Sequence, residues 1–254
     1  MNTPYLPDAM THWAASDPKL IKIRENIVYR ITLPDGTWAA LRLHRPGYQS
    51  RKGIEAELDW TSQLAQRGVP VPLPVSTTAG DRTAIVGDRI ASCVHWLAGD
   101  PIGAGEVPFV GSPDLHCASM RALGGLLAQM HRVTDTLSLP SCDARPKWDA
   151  SGFCGPDPLW GRFWENPALT ASERDLLIAS RDTAADKLGA FRGDYGLIHA
   201  DVLRENVLAG PDGLSLIDFD DAGYGFRAYD LGTALVQNLE EPALPDLVQA
   251  LCDG

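Results

Sequence analysis

Asn206 and Asp218 are the residues whose types and spacing most clearly suit chemistry. They lie in the stretch Leu197 to Leu231, which reads LIHADVLRENVLAGPDGLSLIDFDDAGYGFRAYDL. An apolar run from Asn206 to Ala209 leads into Gly210-Pro211-Asp212-Gly213, a turn-forming cluster. A second apolar run, Leu214 to Ile217, delivers Asp218-Phe219-Asp220. Two short apolar strands about such a turn predict a hairpin. Pairing the hairpin about Asp212 sets Asn206 directly opposite Asp218, and opposed side chains stand about 4.5–5.5 Å apart at Cβ. An amide oxygen and a carboxylate at that separation suit a hard, oxygen-seeking cation such as Mg²⁺. The same pairing puts Leu208 with Leu216 on one face and Val207 with Ile217 on the other, a ribbon buried on both sides.

Asp201 precedes this ribbon by a short loop. Acidic and amide residues also gather in turns because they bond backbone there, so any one of these positions taken alone reads as structural. Their combined spacing favours chemistry. His-x-Asp-x-x-x-x-Asn, at His199, Asp201 and Asn206, followed by an apolar strand and Asp218-Phe219, resembles the catalytic and metal loops of protein-kinase-like phosphotransferases. Ala200 stands where those kinases carry Arg, and Asp220 where they carry Gly. These departures resemble the aminoglycoside phosphotransferase-like branch, which includes antibiotic, choline and homoserine kinases and some bacterial stress-response Ser/Thr kinases. The resemblance implies that Asp201 accepts the proton of an attacking hydroxyl, that Asn206 and Asp218 hold Mg²⁺, and that ATP is the phosphoryl donor. His199, after apolar Ile198, is expected to be a structural histidine bonded to backbone. Asp230 is expected to be a helix cap or loop anchor.

The whole chain must supply a frame for this loop. At 254 residues it can bury a large core, as one large or two small domains. The net charge of −11 argues against a general nucleic-acid or anionic-membrane surface, and favours cationic substrates if the acid gathers near a cleft. Cys93, Cys117, Cys142, Cys154 and Cys252 are scattered without C-x-x-C spacing, so neither a zinc site nor a disulfide frame is implied. The start, MNTPYLPDAMTHW, has no basic region followed by an apolar run, so no signal peptide is expected. No apolar stretch approaches the roughly 18 residues of a membrane span. The expected compartment is the cytoplasm.

In the first half, residues 1–18 read as an irregular lead-in or short helix. Leu20–Arg24, Ile27–Leu33 and Trp38–Leu43 read as a three-stranded antiparallel meander, the last two strands joined by a Pro34-Asp35-Gly36 turn. The turn Arg24-Glu25-Asn26-Ile27 lies where kinase-like folds lay a loop over the nucleotide phosphates, which makes its backbone, Asn26 included, a candidate contact. By the same resemblance, Arg42 takes the place of the phosphate-contacting Lys. Arg keeps the charge and offers two donors in a fixed fork. Ser50 to Arg67 reads as an amphipathic helix ended by Gly68. On it Glu57 is the expected partner of Arg42, and Glu55 the solvated alternative. Arg82–Val86 and Ile90–Leu97 are strands about Gly87-Asp88. The second ends in Val94-His95-Trp96-Leu97, which resembles the hinge whose backbone binds adenine. His95, Trp96 and Leu97 are therefore candidates, with core packing as the alternative for Trp96. Gly99 to Asp114 reads as a linker and loop.

In the second half, Leu115–Val133 is a predicted long helix, with His131 as a packed or capping histidine. Residues 134–170 are rich in Pro, Gly and Trp, and a loop this long is commonly functional or disordered. The resemblance puts this region beside the substrate cleft. Trp148, Asp149, Trp160 and Trp164 are accordingly candidate substrate contacts, with aromatic anchoring of the excursion as the equal alternative. Thr170 to Phe191 is a predicted helix with Thr170 at its cap and Glu173 at the third position. After the metal loop barely one helix, Tyr229 to Asn238, and a short segment to Gly254 are expected, fewer than the resembled family usually has.

The reading is an α+β, protein-kinase-like two-lobed fold: a small antiparallel-sheet lobe over residues 1–98, then a larger, mostly helical lobe over 99–254. The expected reaction moves the γ-phosphoryl group of ATP to the hydroxyl of a small molecule (an amino alcohol, sugar or aminoglycoside), without a nucleic-acid or membrane partner. A Ser/Thr protein kinase of the same family, or a nucleotide-binding pseudokinase without turnover, are the alternatives.

Overall fold

The computed structural model describes residues 3–24, 26–105, 107–139 and 144–254. Glu25 of the first turn and Cys142 fall outside them. The chain divides into two compact units. The first takes in Met1–Ala104, Thr136–Ala144 and Glu205–Asp220; the second takes in Gly105–Asp135, Arg145–Arg204 and Asp221–Gly254. The segment Glu205–Asp220, with the hairpin expected from sequence, thus belongs to the same unit as the N-terminal sheet. Among the described residues no helix is long and apolar enough to cross a membrane.

In the first unit, helix α1 (Leu6–His12) precedes strands β1 (Ser16–Ile23), β2 (Ile27–Thr32) and β3 (Trp38–Leu43). Helix α2 (Arg51–Gln66) follows, then β4 (Thr83–Val86) and β5 (Arg89–His95). The five strands form one antiparallel sheet in the order β1-β2-β3-β5-β4, so the expected meander is present and extended by the β4–β5 hairpin. Side chains alternate across a strand. Ile27, Tyr29 and Ile31 of β2 lie opposite Leu43, Leu41 and Ala39 of β3, and all six are buried. Leu6, Ala9, Met10 and Trp13 share this cluster, so the lead-in forms a helix because it has a sheet face to cover. Arg42 falls on the opposite face of β3. The α2 cap is Ser50, whose side chain accepts from the Gly53 N–H at 3.0 Å. Its end is a Schellman closure: Gly68, at φ +78°, donates to Ala65 O while Val69 N–H reaches Leu64 O.

The hairpin consists of β9 (Val207–Gly210) and β10 (Gly213–Leu216), numbered after β6, β7 and β8 below. Its register differs from the expected one by a single residue. Val207 pairs with Leu216, Leu208 with Ser215 and Gly210 with Gly213. The loop is Pro211-Asp212 alone, and Gly213, at φ +111°, opens the return strand. Asn206 is consequently bonded to Ile217, whose N–H donates to its carbonyl at 2.9 Å, and is not directly opposed to Asp218. A one-residue slip exchanges faces, so Val207 and Leu216 form the fully buried pair. The expected linker also contributes a short strand, β6 (Asp100–Pro101), paired with β9.

In the second unit, α3 (Pro113–Asp135) runs against the last helix, α7 (Leu244–Asp253). A Cβ added at Gly124 would lie 2.0 Å from Leu251 O, so only glycine permits this approach. Between them come β7 (Lys147–Trp148), α4 (Ala150–Cys154), α5 (Ala171–Ala190), β8 (Tyr195–Ile198), β11 (Gly223–Phe226) and α6 (Ala228–Val236). Strand β11 pairs antiparallel with β8 and parallel with β7, a small sheet that sequence periodicity did not reveal. The capping box of α5 is present as expected, with Thr170 N–H donating to Glu173 Oε2 at 2.8 Å and Glu173 N–H donating to Thr170 Oγ1 at 3.3 Å. Two helices, α6 and α7, not barely one, follow Asp218-Phe219-Asp220. Pro245 sits in the first turn of α7, where a missing N–H costs nothing, and Leu247, Ala250 and Leu251 are its buried stripe.

Arg204 clamps this unit from its interior and is 2% exposed. It donates to Val107 O at 2.9 Å, Gln237 O at 3.0 Å, Asn238 Oδ1 at 2.7 Å and Glu241 Oε1 at 3.1 Å. Its guanidinium also lies 4.5 Å from the Phe109 ring centroid. Arg204→Ala leaves those acceptors without their donor and is expected to destabilise by about 3 kcal/mol. A thermal melt should show the midpoint falling by roughly 6–12 °C.

Candidate active site

In the sheet unit the site is built around Arg42. Strand β3 delivers it on the face away from α1, where its side chain is 18% exposed. Its Nη2 donates to Asp218 Oδ1 at 2.9 Å, while Nη1 stands 3.6 Å from Glu57 Oε1 and 3.8 Å from Asp220 Oδ1. Glu57 is buried at 6% exposure on the sheet-facing side of α2, so the pair expected from helix periodicity is formed. Glu55 instead bonds Arg51 and Thr83 on the more exposed side. Val28, Ala40, Val94 and Leu58 line a small cavity with Arg42, Glu57 and Asp218, apolar walls around ionic groups.

Asp218 has φ +67°, the left-handed region, which costs a non-glycine residue about 1 kcal/mol. Phe219 holds that strained residue in place: it is 2% exposed and meets Trp60 of α2 edge to face at 5.5 Å. The left-handed turn brings the partly exposed Asp218 carboxylate to Arg42. Asn206, 4% exposed, stands at the start of β9. An amide oxygen and a carboxylate are hard oxygen donors, and the adjoining guanidinium suits phosphate oxygens, so the residues present fit a divalent cation held together with a phosphate.

Asp220 was not among the site candidates read from sequence, yet it has several partners in this unit. Its Oδ2 accepts from Asn26 Nδ2 at 3.0 Å and its carbonyl accepts from Gln49 Nε2 at 3.3 Å. His44 Nδ1 lies 3.6 Å from Oδ1, and His44 Nε2 meets Ser92 Oγ at 2.8 Å. Burial opposes the Asp220 charge, but His44 and Arg42 outweigh it and hold the carboxyl far below its ordinary range. Burial pushes His44 down, against the pull of Asp220. In the segment matched to the hinge, His95 N–H donates to Leu73 O and Trp96 N–H to Trp38 O, both within the protein; Leu97 follows.

In the second unit, Asp201 sits on a loop fastened to α6. Asp230, fully buried, accepts from His199 N–H at 3.1 Å, Ala200 N–H at 2.7 Å and His131 Nε2 at 2.8 Å. Asp230 is therefore the loop anchor, and His131 supports that anchor instead of capping a helix. Thr233 Oγ1 accepts from Val202 N–H and Gln237 Oε1 from Arg204 N–H. The spacing of 230, 233 and 237 puts these acceptors on one helical face, a signal that was available in the sequence. Ala200 has φ +66°, and His199, fully buried, accepts the Asp201 N–H at Nδ1, as expected of a structural histidine.

The long loop is a packed aromatic cluster with structure of its own. Trp148 is 1% exposed, donates to Asp221 O at 2.8 Å and packs on Trp160 and Tyr229. Trp164 is buried beneath the Arg181 guanidinium. Asp149 caps α4 through the Ser151 and Gly152 N–H groups. Trp148 and Trp164 thus pack inside the excursion, as the aromatic-anchoring alternative has it, and Asp149 is engaged at the start of α4. Trp160 is the exposed member and donates to Tyr229 Oη at 3.0 Å. Burial pushes the Tyr229 phenol up, and Asp201, Asp221 and Asp230 add to that shift against the Trp160 bond. Tyr229, missed in the sequence, thus lies within the field of Asp201.

An antiparallel sheet with one helix packed over an ion-paired strand cation, and a His-x-Asp loop in a second unit, define a kinase-like phosphotransferase fold. Residues 20–254 match the phosphotransferase enzyme family APH, and the chain belongs to that family. It is 30% identical over 182 residues to a homoserine kinase of Methylobacillus glycogenes, covering 70% of this chain and 50% of that protein. A homoserine kinase of Methylobacillus flagellatus is 30% identical over 218 residues, covering 83% of this chain and 59% of that protein. The chain spans about half the length of the curated relatives it matches. The solved structure of a microcompartment-associated aminopropanol kinase aligns with TM-score 0.79 at 29% identity, over 97% of this chain and 78% of that one. An amicoumacin kinase in complex with AMP-PNP, Ca²⁺ and Ami shares the fold at TM-score 0.78 and 20% identity, over 98% of this chain and 75% of that one.

Proposed function

We propose that this protein transfers the γ-phosphoryl group of ATP to the hydroxyl of a small amino alcohol. The observation that carries the reading is Arg42 held between Glu57 and Asp218, a fixed cation beside a partly exposed carboxylate. Arg42 steadies the nucleotide phosphates, and Glu57 keeps it aimed. Asn206 and Asp218 hold Mg²⁺, which when bound neutralises phosphate charge. The backbone of the turn at 24–27 and of His95 to Leu97 contacts the nucleotide.

Asp201 accepts the hydroxyl proton as the acceptor oxygen bonds to the γ-phosphorus. The bond from that phosphorus to the bridging oxygen breaks, and ADP leaves with the electron pair. Such catalysis is mainly positioning and charge stabilisation. Homoserine and aminopropanol, the acceptors named for two similar proteins, each carry a hydroxyl and an amine. A protonated amine also suits a chain of net charge −11 and the exposed Trp160 beside Tyr229.

The test is ADP release with Mg-ATP across homoserine, aminopropanol, ethanolamine, choline and an aminoglycoside. One amino alcohol should be phosphorylated stoichiometrically with ADP formed. Label from ATP appearing on protein alone would sink the small-molecule reading in favour of a protein kinase. The 2.9 Å contact of Arg42 with Asp218 favours a second reading, a nucleotide-binding module whose guanidinium takes up the metal carboxylate. Saturable Mg-ATP binding without turnover on any acceptor would support it.

A further inference from the structure

Asp220 is 8% exposed and joins segments far apart in the sequence. Burying a carboxylate is costly unless it is paired and hydrogen-bonded, so its partners say what it serves. Asn26, 194 residues away in sequence, donates Nδ2 to Asp220 Oδ2 while its own Oδ1 accepts the Arg45 N–H at 2.9 Å. The Asn26 side chain is therefore a clip between the β1–β2 turn, the end of β3 and the metal strand. Arg24 N–H closes the same turn on Asn26 O at 3.1 Å. On its other oxygen, Asp220 faces Arg42 at 3.8 Å and His44 at 3.6 Å. Arg42 thus faces three carboxylates, Glu57 and Asp220 at Nη1 and Asp218 at Nη2, which limit how the guanidinium can turn.

We propose that Asp220 is a positioning residue for the nucleotide: one oxygen pins Asn26 and with it the phosphate-facing turn, and the other braces Arg42 against Asp218. The inference rests on the phosphotransferase reading. Its content is that the turn backbone and the strand cation, the two groups assigned to the phosphates, are set by a single carboxylate. A carboxylate with a structural role alone would lower stability without altering how nucleotide binds.

The experiment is a double-mutant cycle of Asp220→Asn and Asn26→Ala, read by calorimetric Kd for Mg-ATP and by kcat and KM on whichever acceptor turns over. Each single variant is expected to weaken Mg-ATP binding about tenfold while KM for the acceptor moves little. The double variant is expected to be no weaker than the worse single one, because Asp220→Asn takes the charge out of the same link that Asn26→Ala removes whole. Asn26 is a half-buried turn residue, so Asn26→Ala carries the test even if Asp220→Asn fails to fold. Additive losses, or unchanged nucleotide Kd with only a lower melting point, would overturn the positioning role and leave the phosphotransferase reading standing. Absence of Mg-ATP binding in the unsubstituted protein would overturn both.

Discussion

Asp201→Asn is expected to lower kcat by about 10³-fold while leaving the Mg-ATP thermal shift intact. The amide keeps the size of the carboxylate and its capacity to accept a hydrogen bond, but it cannot take the hydroxyl proton. The loop should keep its shape, since it is fastened by the His199 and Ala200 amides on Asp230 and by Val202 on Thr233. Steady-state turnover and a melt with and without Mg-ATP separate the two properties. A folded variant that no longer binds nucleotide would contradict the assignment of Asp201 to the acceptor proton.

The second large effect is expected at Asp218. Asp218→Asn should reduce turnover by about 10³-fold and abolish the Mg²⁺-dependent part of nucleotide stabilisation. Asparagine is the informative replacement because, like aspartate, it tolerates the left-handed backbone found at φ +67°. Alanine there would mix metal loss with backbone strain. A ligand at one hundred times its Kd stabilises the folded state by about 2.7 kcal/mol, so the lost shift is readily measured. Chelating the metal from the unsubstituted protein should give the same melting behaviour as the variant. Equal Mg-ATP shifts in the two proteins would exclude Asp218 as a ligand of the cation. Arg42 remains paired with Glu57 when the 218 charge is removed, so the sheet unit should stay folded.

Several site contacts were legible because they follow from local period. Arg42 was placed by the family resemblance, and Glu57 was then chosen as its partner from a helical stripe, which needs only neighbouring residues. Thr170 and Glu173 form their box because the cap and the third helical position are always within reach. The hairpin shows the limit of such reasoning. Gly-Pro-Asp-Gly announces a turn, but a centre on Asp212 and a centre between Pro211 and Asp212 are both compatible with the cluster. The burial of Val207 with Leu216 chooses the second. Asp218 then reaches Arg42 through a left-handed residue, and not through direct opposition to Asn206. The long loop was less legible for a related reason: tryptophans spaced irregularly carry no period, and only folding collects Trp148, Trp160 and Tyr229.

By itself the amino-acid order determined the kinds of element, most of their ends, and the residue types at 201, 206 and 218, since helix period, strand alternation and caps act over a few residues. Tertiary structure alone decided the register of the hairpin, the pairing of β6 with β9 and the helix-forming lead-in. It also chose Asp220 as the hub for Asn26 and Arg42, and Asp230 as the anchor of the Asp201 loop. Apart from the hairpin register, those choices join residues tens to nearly two hundred positions apart. Their energy comes from burying charge and apolar surface together, which no local pattern encodes.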